Sequence, residues 1–303
     1  MVIYEQYENH GRKCVKNRNF YKICRVITII LAVLIIFFSA DFVLSEITDK
    51  WAYEDCKNRD DSKWSFLEEK FINGEELTED DYEEIFLQSG LGKPAVDSLL
   101  SEGRPDKINE HREYYLMDKD FYCYRKGVFA CHEKITDSDE EIISNPEFAD
   151  LQNGDIVITL SIHSLGWRHG HATIVTDAEN GIGVQAVMVG EKSDNTRLDS
   201  WKKYPLVAVL RPKNIDESTR NQAGEFAEEN LKGIYYSLFG GVFTGRNMDE
   251  IPVTTQCAHL VWYAYMTCGI DIAPESGRII TPKDFLESEN LEIVQVYGNI
   301  TDL

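Results

Sequence analysis

The sequence predicts an α+β protein: an antiparallel sheet with packed helices, preceded by a mainly helical acidic region and an N-terminal transmembrane segment. Three patterns carry this reading. Beyond Gly154, short apolar strands alternate with turn residues. Before it, apolar residues recur three to four apart between helix-capping residues. Near the start, one stretch is apolar on every side.

Residues 1–25 carry Arg12, Lys13, Lys16, Arg18, Lys22 and Arg25 against Glu5 and Glu8, a net +4. This basic tail leads into Val26–Ala40, an unbroken apolar run of 15 residues. Counting past Asp41 through Phe42-Val43-Leu44 brings it to the roughly 20 residues a spanning helix needs. The segment is therefore assigned to 26–45. Phe38, two positions before Ala40, spoils a small-x-small cleavage signal, which favours an uncleaved anchor over a cleaved signal peptide. The positive flank stays in the cytoplasm, so either reading places the rest of the chain outside.

Residues 46–148 are acidic and mainly helical. Leu67-Glu-Glu-Lys-Phe71 and Asp80–Phe86 have helical spacing, with Thr78 as a cap and Gly90 and Gly92 as stops. Pro94–Leu100 begins another helix, ended by Gly103. Cys123 and Cys131 flank a hairpin turning near Gly127, and a cross-strand disulfide is one reading of that pair.

Residues 149–303 form the sheet-bearing domain. Strands are expected at 155–160, 171–176, 182–189, 206–211 and 291–297, with a tight turn at Asn180-Gly181. A helix covers 217–232, and a second starts near Thr254 or Thr255 and ends at Gly269. Thr281-Pro282 caps a short helix reaching Glu287.

The formal charge is -21, and outside the basic tail it is -25. Such an acidic body repels phosphate backbones, which excludes nucleic acid as a natural partner. Seven cysteines occur without any CxxC pair, so zinc-finger and thioredoxin readings lack their spacing.

Cys257 falls in the first turn of the helix after Thr254-Thr255, where open N–H groups and the positive helix end favour a thiolate. It also shares an apolar stripe with Leu260, Val261, Ala264, Tyr265 and Cys268, so a plain core role competes. His259, two residues on, points to another face. A base must come from elsewhere, and Trp167-Arg-His-Gly-His171 supplies one at the start of a strand. A metal reading of His163, His169 and His171 lacks a partner at motif spacing, so neither a metal set nor another cofactor is expected. Gln185, on the adjoining strand, is the candidate to orient the imidazole.

These residues recur in a familiar order. Leu151-Gln-Asn-Gly-Asp-Ile-Val157, Gly170-His-Ala-Thr-Ile-Val175, Gln256-Cys-Ala-His-Leu-Val-Trp-Tyr-Ala-Tyr265 and Ile280-Thr-Pro-Lys-Asp-Phe285 together resemble the permuted papain-like hydrolases of the NlpC superfamily, in the YiiX/YycO-like branch. There the histidine strand precedes the cysteine helix, as it does here. The resemblance covers about residues 150–298 and implies Cys257 as nucleophile and His171 as base. The family often carries an acid where Gln185 stands, and glutamine cannot offset an imidazolium charge. Tyr236 resembles a tyrosine lining such sites, and Trp167 is expected to contact substrate beside it.

The implied activity is extracytoplasmic hydrolysis of amide bonds, with peptidoglycan stem peptides as the substrate class. Hydrolysis or transfer of thioester or lipid acyl groups on the same dyad is the alternative. A catalytically silent wall-binding or membrane scaffold is the alternative from another class.

Overall fold

The computed structural model describes residues 21–40, 43–44, 59–117, 119–126, 130–164, 167–241, 248 and 250–301. Most of the basic tail, Asp41 at the edge of the apolar run, and the hairpin turn at Gly127 lie outside them. The molecule is α+β, with antiparallel sheets, packed helices and one apolar N-terminal helix. That helix, α1 (Tyr21–Ala40), is long and apolar enough to cross a membrane or to act as a signal sequence. Its apolar side chains are exposed, as a lipid-facing surface would be.

Four helices follow: α2 (Asp61–Asn73), α3 (Glu79–Ser89), α4 (Lys93–Ser101) and α5 (Pro105–Leu116). Thr78 and Asp81 close a reciprocal capping box on α3, and Gly90 ends it with φ +69°. α5 went unread in the sequence because its composition is strongly polar.

The hairpin β1 (Asp120–Lys126) and β2 (Ala130–Thr136) continues through β4 (Ile162–His163) into a three-stranded antiparallel sheet. In its register Cys123 faces Glu133 while Cys131 faces Arg125, so the two cysteines are diagonal, and both are thiols.

The main sheet has six antiparallel strands in the order β11-β8-β3-β5-β6-β7. They are β3 (Ile156–Thr159), β5 (His171–Asp177), β6 (Ile182–Gln185), β7 (Asp194–Arg197), β8 (Val207–Pro212) and β11 (Leu291–Tyr297). Ile156, Ile158, Ala172, Ile174, Val184, Ala208 and Leu210 face one side. There they meet α6 (Glu217–Asn230), α7 (Cys257–Thr267) and α8 (Pro282–Leu286). Val157, Val175, Val207, Val209 and Val294 face the other side and meet Trp64, Ile85, Val96 and Leu99 from α2–α4. The acidic helices thus share a core with the sheet. Because both faces are covered, Ile156-Val-Ile-Thr159 is apolar without alternation.

Two expectations change at the edges. The strand from Ile182 stops at Gln185, where pairing with β7 ends, instead of running to Val189. Thr254–Thr255 do not begin the cysteine helix. They form β10, paired in parallel with β9 (Tyr235–Tyr236), so α7 starts at Cys257 with Gln256 as its cap.

Candidate active site

A cleft of about 540 Å³ opens at the ends of β5 and β6, and Cys257, His171, Gln185 and Tyr236 all line it. Its far wall is the three-stranded sheet, through Tyr124, His132, Lys134 and Ile162.

His171 is the first residue of β5, paired with Thr159. Gly170 before it has φ +66°, and a Cβ there would stand 2.5 Å from the Thr159 carbonyl oxygen. Only glycine makes that close entry to the strand without strain. The His171 ring stacks on Trp201, centroids 5.2 Å apart and planes 17° from parallel. Trp201 comes from a short 3₁₀ helix, Leu198–Lys203. The imidazole Nε2 lies 2.8 Å from the Gln185 amide oxygen. Gln185 reaches it because Thr173 pairs with Gln185, which puts position 171 diagonally across on the same face. With an amide oxygen on Nε2, that nitrogen carries the proton and Nδ1 is the basic one.

Alternation along β5 sends the His171 ring to the face shared with Trp201, while Ala172 faces α7. Ring and thiol open into one cleft because His171 sits at the strand's very end. Cys257 meets it there from the N-terminus of α7, its thiol 3.9 Å from the Gln256 amide oxygen, and nearby backbone N–H groups, that of Ala172 first, favour its charged form. The helix-end donors act on the sulfur as expected of an open first turn. Burial acts the other way and is larger: it pushes the thiol up to about 11, so Cys257 is protonated at neutral pH. The sequence expectation of a depressed thiol pKa is corrected, since Cys257 is only 5% exposed.

Of the other two sequence motifs, one braces this corner and the other locks the far end of β3. Gln256 donates its side-chain amide to the Ile280 carbonyl at 2.5 Å. Thr281 and Asp284 then close a capping box on α8. Asp155 is buried and grips Arg211 through two bonds of 2.8 and 2.7 Å, and Asp150 holds the third arm of the same guanidinium at 2.7 Å.

His259 is buried against Thr255, Nδ1 to Oγ1 3.0 Å, and burial lowers its pKa to about 4. Tyr236 lines the cleft, its hydroxyl pKa raised first by burial and then by nearby Cys257. Trp167 is 67% exposed, edge-on to His169, and stands outside the residues lining the cleft. His163, His169 and His171 do not converge: their rings reach Glu133, Ser164 and Gln185 respectively. Trp201, Lys134 and Lys203 also line the cleft and were missed. They lie far from both motifs, and no local pattern marks them.

No family model and no curated protein matches the chain. Among solved structures, the metalloprotein YiiX from Escherichia coli O157:H7 is a weak structural neighbour. It is similar with a TM-score of 0.38 and 14% identity, over 49% of this chain and 98% of that one.

Proposed function

We propose that this chain is a cysteine hydrolase of amide bonds, working outside the cytoplasm and held at the membrane by α1. The carrying observation is the common cleft of Cys257 and His171, the latter with its Nε2 held by Gln185. In this reading His171 Nδ1 takes the thiol proton as the sulfur bonds to the substrate carbonyl carbon. The same nitrogen returns the proton to the leaving amine, and water then cleaves the acyl thioester. In this reading the open N–H groups of the first turn of α7, at Cys257 and Ala258, would serve the oxyanion. A protonated resting thiol means that attack is coupled to proton transfer.

Peptidoglycan stem peptides are the proposed substrate class. Lys134 and Lys203 line the cleft and suit the carboxylates such peptides carry. Thioester or lipid acyl transfer on the same dyad is the alternative chemistry. The raised thiol pKa and the neutral Gln185 favour a second reading, a silent wall-binding or scaffold protein.

The test is turnover of peptidoglycan fragments by full-length protein in detergent. Cys257→Ala and His171→Ala should each abolish turnover with the circular dichroism unchanged. Gln185→Ala should cost less, and Gln185→Glu should equal or exceed wild type by stabilising the imidazolium. Full activity in Cys257→Ala would end the proposal, and no activity in wild type on amide or acyl substrates would favour the scaffold. For the anchor, the protein should leave membranes with detergent and not with high salt; a soluble chain starting near Asp41 would show cleavage instead.

A further inference from the structure

We infer that Cys123, Cys131 and His163 form a site for one zinc-class divalent cation, backed by the buried Glu133 carboxylate, which fastens the outer wall of the cleft. The inference stands apart from the hydrolase reading and rests on the three-stranded sheet alone.

Strand register gathers the four residues. Cys123 pairs with Glu133 across β1 and β2, and Cys131 pairs with His163 across β2 and β4. All four therefore project from one face. The other face, through Tyr124, His132, Lys134 and Ile162, lines the cleft.

Three ligand atoms already lie close together, with Glu133 behind the imidazole. The Cys123 sulfur is 3.7 Å from His163 Nε2, and that nitrogen is 3.3 Å from Glu133 Oε1. The two sulfurs and the imidazole nitrogen lie within 4.8 Å of one another. With zinc bonds of about 2.3 Å to sulfur and about 2.0–2.1 Å to nitrogen, a tetrahedral sulfur–nitrogen edge comes to about 3.6 Å. A disulfide fits less well. Diagonal cross-strand neighbours stand about 7–8 Å apart, beyond the roughly 4.4–6.8 Å that a disulfide spans between Cα atoms.

Charge also closes. Glu133 is fully buried, and Arg168 forks onto it at 2.7 and 2.9 Å. Two thiolates and one carboxylate balance a divalent cation and that guanidinium, which a buried site requires. Binding sends the two thiol protons to solvent. Thiolate and imidazole donors select zinc over magnesium or calcium, and three protein ligands leave the fourth tetrahedral position to water. Cys123 is only half-buried and gives the entry side. From His163 the chain runs to Gly170 and His171, so a cation there would also steady the approach to the cleft histidine.

The experiment uses full-length protein in detergent, reduced and stripped of metal, titrated with cobalt(II) and then zinc. Expected are one equivalent bound, two protons released, and a thiolate-to-cobalt charge-transfer band that zinc abolishes. Cys123→Ser, Cys131→Ser and His163→Gln should each lose the band, while Cys257→Ser and Cys268→Ser keep it. Glu133→Gln should weaken binding by about tenfold or more. Zinc-edge X-ray absorption of wild type needs no variant and should report two sulfurs in the first shell. A first shell without sulfur, a band that survives Cys131→Ser, or a Cys123–Cys131 disulfide in anaerobically purified protein would each overturn the inference.

Discussion

At Cys257 burial and the helix end oppose each other, and burial prevails by raising the thiol to about 11. Nucleophilicity then depends on a proton acceptor. Alkylation by iodoacetamide near neutral pH should fall about 100-fold or more in His171→Ala, the lower range of general-base effects. In that variant the rate should keep climbing toward pH 11. Equal rates in the two proteins at pH 7 would detach His171 from the thiol. Gly170 is the second decisive position. A methyl group there meets the Thr159 carbonyl oxygen at 2.5 Å and the Leu160 side chain at 2.9 Å, in a backbone region L-residues avoid. Gly170→Ala should therefore shift His171 and lower kcat far more than it lowers the melting temperature. Comparison of the two quantities checks it, and a parallel fall would mean simple destabilisation. His171 and Gln185 were legible in the sequence because strand alternation is local. Trp201, stacked on the ring from 30 positions away, had no local signature.

Among the elements, β3 and β8 are locked by the Asp155–Arg211 pair, with Asp150 outside it. Asp155 is fully buried and Arg211 nearly so, so losing one partner strands a charge. Asp155→Ala should lower the unfolding free energy by about 3–5 kcal/mol. Urea denaturation at neutral pH reads it, and a loss below about 1 kcal/mol would mean Asp150 alone satisfies the guanidinium. The Gly154-Asp155 segment thus serves the sheet and not the chemistry. α7 teaches a related lesson. Thr255 looks like a cap because threonine caps well, yet its backbone is taken by pairing with Tyr236 and its hydroxyl by His259. The helix begins two residues later, with Cys257 as its first residue.

For the whole molecule, buried histidines resist protonation in the native state, His169 among them, while Asp155, raised to about 6 by burial, works the other way. His111 and His259 are each lowered to about 4 by burial. Above pH 6.5 both folded and unfolded chains hold them neutral. As pH falls from about 6.5 toward 4, the unfolded chain takes up protons the native one refuses. Stability should drop by about 1.4 kcal/mol per pH unit for each histidine. Denaturation between pH 6.5 and 4 should show their share as the part of the slope that His111→Gln/His259→Gln removes; an unchanged slope in the double variant would assign it to other groups. The helices α2–α4 also answer to the whole. They cover one face of the main sheet, so a chain starting at Asn145 should expose Val157, Val175, Val207 and Val209 and aggregate. A soluble monomer from that start would show the face tolerates water.

The apolar α1, the short apolar strands between turn residues and the caps of α3 and α8 were readable along the chain, because each depends on neighbours within a few residues. So was the order in which the histidine strand and cysteine helix occur. The tertiary arrangement decided the rest. It set the exposure of Cys257 and hence the direction of its pKa, since desolvation depends on what packs over an atom. It laid the acidic helices on the sheet. It also brought Cys123 and Cys131 to His163, far along the chain, because register across three strands converts long separations into contacts that no spacing records.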